Sequence, residues 1–276
     1  MRKTLMILIS LFLAMNVTAQ VRTPRASPKA TLTQTVGLTD ITITYSRPGV
    51  KSRAIWGSLV PYGKVWRTGA NEATTIAFSD DVLVNGQKLA KGTYGLETIP
   101  DADHWTVIFN RVPDQWGAFQ YDQSKDALRI DVKPERADFR EWMMFEIPEM
   151  TTDTAKVVLR WENVAVPFTV DTQSTAKTMA SLRGAMNPDW RTPYAAASFA
   201  FDNPSAASAD EMKGWIDQSL KVNQNTANLW LKARILQREG NLTDAKRYGE
   251  MAIAAATPDQ SDFVGEIRKG MDLWKK

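Results

Sequence analysis

The chain has no cysteine and only one histidine, His104. Lack of cysteine excludes a disulfide framework, a thiolate metal site and a lipid-bearing thiol, so stability has to come from packing. With a single histidine, a Ser-His-Asp triad or a multi-histidine metal site must use His104 or not exist. An excess of one charge is also lacking. Lysine and arginine number 34 against 31 acidic residues, and without Arg2 and Lys3 the balance is 32 to 31. That is not the basic footprint of a nucleic-acid or anionic-membrane binder. Long apolar runs are missing too. The longest, residues 5–15, falls short of the roughly 20 residues that cross a bilayer, so no transmembrane segment is expected.

That run nevertheless has a context. Arg2 and Lys3 precede it and Val17-Thr18-Ala19 follows it, giving a charged n-region, an apolar h-region and small residues at cleavage spacing. Residues 1–19 are therefore expected to be a signal peptide. The mature chain would begin at Gln20 or Val21 and be exported, periplasmic or secreted. Residues 20–29 are polar and proline-containing, and read as a flexible lead-in.

From residue 30 to 171 apolar residues alternate with polar ones. Ile41/Ile43/Tyr45, Ile76/Phe78, Trp105/Val107/Phe109, Leu128/Ile130/Val132, Val157/Leu159/Trp161 and Val164/Val166/Phe168/Val170 each mark a strand with one buried face. Asn85-Gly86 between two such runs is a hairpin signal, because both residues tolerate positive φ. About ten short strands without crossover helices predict an antiparallel β-sandwich or barrel. In the strand around Met143, Phe145 and Ile147, Trp142 falls on the opposite face, where packing of the helical half would cover it.

After Asp171 the period changes to that of helices, over 173–186, 193–201, 207–222, 226–239, 241–256 and 259–275. Leu229, Trp230, Ala233, Leu236, Gly240, Ala245 and Ala252, closed by Pro258, resemble a tetratricopeptide helix-turn-helix pattern, in which small residues let paired helices approach. A weaker copy lies upstream at Ala200, Met212, Ile216 and Ser219. Residues 172–276 are thus expected to form a helical, tetratricopeptide-like domain, used for interaction with a protein partner or with the strand half itself.

One segment concentrates polar residues among strands. Val60 to Phe78 sets Trp66, Arg67, Asn71 and Glu72 around a Thr68-Gly69 turn, and Arg47 stands at the end of an earlier strand. Arg and Glu in such places are costly to bury unless paired. Two readings stay open. Arg67 and Glu72 brace the turn as an ion pair, or Arg47, Trp66, Arg67, Asn71 and Glu72 bind a small polar ligand, with the indole stacking on a ring such as a sugar. In either case Arg67 and Glu72 are expected to interact, directly or through a shared ligand.

His104 shares a strand face with Thr106 and Ile108 and reads as a polar edge residue, and Asp101 and Asp103 read as turn residues rather than cation ligands. No nucleophile elbow, metal motif or phosphate loop is present, so no catalytic residue, metal or cofactor is assigned.

S-P-K-A-T at 27–31, Y-S-R-P at 45–48, L-V-P-Y-G-K-V-W-R-T-G-A-N-E-A-T at 59–74 and W-T-V-I-F-N at 105–110 resemble the family labelled domain of unknown function 2911. Q-W-G at 115–117, Y-D at 121–122 and W-E at 161–162 agree with it. The resemblance implies an exported bacterial β-rich domain, often followed by helical repeats. It brings no substrate, cofactor or catalytic residue. Glu97 departs from the pattern, in a place where an aromatic or apolar residue is expected, which questions whether its strand buries both faces.

Together these features favour a non-enzymatic exported binding or scaffold module with a helical interaction tail. The alternative is an envelope hydrolase or isomerase acting on a carbohydrate or peptide, with Glu72 as acid or base and Arg67 tuning it. A purely structural envelope protein is the third reading.

Overall fold

Alternating burial builds the first half of the chain, for which a computed structural model describes residues 23–274. The expected signal peptide and residues 20–22 lie outside the described residues. Strands β1 (Lys29–Val36), β2 (Thr39–Ser46), β3 (Thr75–Phe78), β4 (Val82–Val84), β5 (Gln87–Leu89), β6 (Gly92–Ile99), β7 (Trp105–Asn110), β8 (Asp126–Val132), β9 (Glu135–Met150) and β10 (Thr154–Asp171) follow in order. They form a six-stranded sheet, β1-β2-β3-β6-β7-β8, and a four-stranded sheet, β5-β4-β10-β9. Every pairing is antiparallel. Both sheets keep open edges, so the barrel alternative does not hold. Ile41, Ile43, Ile76 and Phe109 from one sheet and Met143, Phe145, Val157 and Val170 from the other share a single apolar core.

The turns follow local chemistry. Asn85 and Gly86 take φ of 46° and 79° and join β4 to β5, as the hairpin signal required. The run from Val157 to Val170 makes one strand of 18 residues where the alternation suggests two short ones. The inward residues switch from odd to even numbers between Trp161 and Val164. Glu162 explains the switch: it sits at φ 53° and the register with β9 shifts on either side of it, a bulge that inverts the alternation without ending the strand.

The lead-in is less free than its composition suggests. Arg25 reaches Glu72, Ser27 O accepts from Asn71 Nδ2 at 3.2 Å, and Pro28 O accepts from Arg47 N at 2.9 Å. Residues 25–28 are pinned because each of these polar groups finds a fixed partner across the sheet end.

Six helices follow: α1 (Ser174–Gly184), α2 (Arg191–Asp202), α3 (Ala209–Val222), α4 (Thr226–Arg238), α5 (Leu242–Ala254) and α6 (Ser261–Leu273). None is long and apolar enough to cross a membrane. Side-chain N-caps open α3, α4 and α5. Ser208 and Glu211 form a capping box at α3, Asn225 accepts from Ala227 N and Asn228 N at α4, and Gly240 at φ 82° lets the chain leave α4. The helices α2/α3 and α4/α5 pack as consecutive pairs, around Ala197, Phe201, Ile216, Leu229, Ile235, Ala252 and Ile267.

The two halves touch through polar contacts near the junction. Ser174 Oγ accepts from Leu38 N, Thr172 Oγ1 donates to Asp153 O, and Lys177 Nζ donates to Asp80 Oδ2 and Asp81 O. Trp142 is not covered by the helices, contrary to expectation. It bridges to Gly49, takes the Lys51 ammonium 5.9 Å over its ring and stays 40 % exposed. The reason is positional: the helical half leaves the β half beside residues 37–38, 80–81 and 153, and Trp142 faces the long β2–β3 connection instead.

Because the two cores share no residue, a fragment of residues 23–171 is expected to keep the near-ultraviolet circular dichroism of fixed indoles. A fragment with only far-ultraviolet signal would show the halves to be one cooperative unit.

Candidate functional site

The connection from Arg47 to Thr74 is the longest between strands and carries all five residues singled out above. It is ordered by pairing rather than by regular structure. Trp66 N donates to Thr98 O at 2.7 Å and Thr98 N returns to Trp66 O at 2.9 Å, so Trp66 is held against β6 like a short extra strand. Thr68 and Asn71 adopt φ of 54° and 59° to make the turn. The Thr74 hydroxyl donates to Thr68 O at 2.6 Å, and Thr68 bonds the Thr98 hydroxyl. The far end of the turn meets a second loop, residues 111–122. Ala73 N donates to Gln115 O, Gly117 N donates to Asn71 O, and Glu72 bridges to Trp116.

Between this junction and the outer face of the six-stranded sheet lies an open cleft of about 510 Å³. Alternation gives its floor: with Ile43 and Tyr45 directed into the core, Thr44 and Ser46 of β2 face outward, and Thr75 and Thr93 join them from β3 and β6. The floor therefore presents the hydroxyls of Thr44, Thr75 and Thr93, with Ser46 buried behind Asn71. Lys29, Glu72 and Asp114 stand at the rim, and the wall is Gln115 and Trp116, the latter 63 % exposed. A volume in this range is typical of small-molecule sites, and an exposed indole over hydroxyls offers stacking with hydrogen bonds.

The structure disperses the five residues. Glu72 borders this cleft. Its carboxylate takes both bonds from Arg25 Nη1, at 2.7 and 2.8 Å, and this arginine, with the Glu72 backbone, holds the carboxyl below its ordinary value. Both partners are about half exposed, so the pair adds little stability. Asn71 anchors the lead-in through Ser27 and also bonds Ser46 Oγ at 3.3 Å. Arg47 donates from Nε to Met143 O at 2.8 Å and ties the two sheets.

Trp66 is buried. Its ring stacks on Trp161 at 5.8 Å and 19°, its Nε1 donates to Gly69 O, and Trp56 and Trp105 complete a tetrad. Arg67 faces away from Glu72, into a second cleft. Among the described residues no ion pair joins the two, and the expected pairing is replaced by Arg25–Glu72. The reason is the turn itself: two residues at positive φ between Arg67 and Glu72 send the side chains to opposite sides.

Sequence reasoning passed over Trp116 and Gln115, noted only as part of a motif, and saw Glu97 as a departure. Glu97 is fully buried on the outer face of β6, opposite Leu96 and Thr98, so the strand does bury both faces. Among the described residues neither carboxyl oxygen has a hydrogen-bond partner, and burial, then the nearby Asp126 carboxylate, pushes its pKa up to about 7. Asp126 is itself held by Asn110, Tyr121 and Arg129. Gln115 Oε1 is likewise buried without a partner while its Nε2 donates to Val112 O. The cleft wall and the buried acid thus share the segment 112–115.

His104 is exposed and lies 3.3 Å from Asp103, and Asp101 accepts from Ala102 N in a turn. Among the described residues no group of three or more His, Cys, Asp or Glu side chains is gathered as a metal would need.

The fold and cleft define a two-sheet antiparallel β protein with a polar surface groove and a helical continuation. The chain belongs to the family described as protein of unknown function (DUF2911), which it matches over residues 27–170, more than half its length. No curated protein and no solved structure is matched by it.

Proposed function

We propose that this protein is an exported, non-enzymatic binding module that holds a small polyhydroxylated ligand, such as a sugar, in the cleft between Trp116 and the hydroxyl row. The observation that carries this reading is the largely exposed Trp116 indole in one cleft with Thr44, Thr75 and Thr93. A sugar presents an apolar ring face and a hydroxyl edge, which match an indole and a hydroxyl floor. The helical half, whose consecutive pairs fit a tetratricopeptide-like layout, serves as the tail that engages a protein partner. Export rests on the pattern of residues 1–19.

The alternative, an envelope hydrolase or isomerase using Glu72 and Arg67, has less support. The two side chains face different clefts, and Arg25 rather than Arg67 holds the Glu72 carboxylate, so Arg67 is not placed to tune it.

Calorimetric titration of the mature chain with a panel of neutral di- to tetrasaccharides tests the reading. At least one should bind saturably, and Trp116→Ala should weaken it by up to about tenfold, the worth of one stacked ring. If no saccharide binds at millimolar concentration, or the variant binds as well as the parent, the cleft is not such a site. Sequencing the purified exported chain checks the remaining element: it should begin at Gln20 or Val21.

A further inference from the structure

Arg67 has no role in the cleft just described, yet it is the most conspicuous unpaired cation of the β half. Its side chain is partly buried, its Nε is sealed from solvent, and among the described residues no hydrogen bond or ion pair reaches the guanidinium. The Nε–H is thus a buried donor without a partner, and a partly desolvated guanidinium favours an anion beside it.

The surroundings say which anion. Arg67 lines a second cleft of about 260 Å³, with Lys64 beside it and Leu59, Pro61, Val65 and Phe119 forming apolar walls. Among the described residues no acidic side chain lines it. Phe119 is 88 % exposed, far more than its chemistry favours, and its ring lies over Gly117, where an added Cβ would come within 2.7 Å of it. Gly117 also has φ 75°, so glycine both turns the loop and makes room for the ring. Planar guanidinium matches planar carboxylate in a two-bond fork. The apolar walls suit a hydrocarbon body and suit a heavily hydrated dianion poorly. The volume lies below the usual range of about 300–1,000 Å³, which limits the occupant to roughly the size of one amino-acid residue.

We infer that the cleft between residues 59–67 and 118–119 binds a small carboxylate carrying an apolar or aromatic group, with the carboxylate on Arg67, assisted by Lys64, and the apolar part against Phe119. The source is either a free organic acid or the C-terminal residue of a short peptide, and both present the same chemistry. The two clefts share no lining residue, so this inference and the saccharide reading stand or fall separately.

The test is titration of the full mature chain with 3-phenylpropionate, its uncharged amide, and the dipeptide Ala-Phe, repeated on Arg67→Met. The acid or the dipeptide should bind saturably, with the amide and the variant each at least tenfold weaker. Whichever of the acid and the dipeptide binds more tightly identifies the source. The melting temperature of R67M should stay unchanged or rise, because a partly buried cation without a partner is removed. Equal binding of acid and amide, no binding of either carboxylate at millimolar concentration, or parental affinity in R67M would overturn the assignment. So would a fall in melting temperature accompanying the loss of binding, which would make Arg67 a structural residue.

Discussion

Glu97→Gln raises the stability of the β half by about 3 kcal/mol at pH 8 and changes it little near pH 4.5. The size follows from the distance between an ordinary glutamate at 4.5 and the value of about 7 that burial, reinforced by Asp126, imposes on Glu97. The sign follows from linkage. The folded state holds the proton more tightly than the unfolded one, so the contribution is fully favourable below about pH 4.5. It is lost as pH rises toward 7, because the unfolded chain ionises first, and it stays lost above 7, where the folded state carries a buried carboxylate without a donor.

The facing groups do not cancel this. Arg129 is committed to Asp126 and Tyr121, and the nearby Val112 carbonyl is an acceptor. Glutamine keeps the shape of the protonated acid and cannot ionise. Urea denaturation of parent and variant at pH 5 and pH 8 measures the effect, and the same pH dependence in both proteins would refute it. Gln115 belongs to the cleft wall, so ionisation of Glu97 should also loosen the wall and weaken ligand binding above pH 7.

Trp66→Ala should cost about 3–5 kcal/mol, the range for removing a large buried aromatic side chain. Trp66 is 8 % exposed, stacks on Trp161 and meets Trp56 edge-on at 5.8 Å. It also plugs the end of the core, where β6 is paired through Thr98. Little of the lost volume can be refilled, because the surrounding indoles are themselves fixed by one another. Denaturant midpoints of parent and variant give the value. A loss under about 1 kcal/mol would mean that the tetrad is loosely packed, and would return Trp66 to consideration as a surface ligand residue.

Much of the fold was legible in the residues. Inward Ile41, Ile43 and Tyr45, the Asn85-Gly86 turn and the change of period after Asp171 each express a local rule, and each has its counterpart in the structure. The bulge at Glu162 was half legible, since the buried positions change parity there. The site was legible only as a segment. Residues 60–78 do carry both clefts, but the pairing of Arg67 with Glu72 gives way to Arg25–Glu72, and Trp66 belongs to the core.

What the sequence determined by itself are the properties set by neighbours along the chain: the absence of cysteine chemistry, near-neutral charge, alternating strands and the change to helical period after residue 171. What the tertiary structure alone decided are the encounters between segments far apart in sequence: Arg25 with Glu72, the 111–122 loop with the turn at 71–73, and Glu97 buried without a hydrogen-bond partner among the described residues. The physical reason is that alternation and capping are governed by backbone geometry within a few residues, whereas the direction in which Arg67 and Glu72 point depends on two positive-φ residues and on which distant loop pairs with the turn between them.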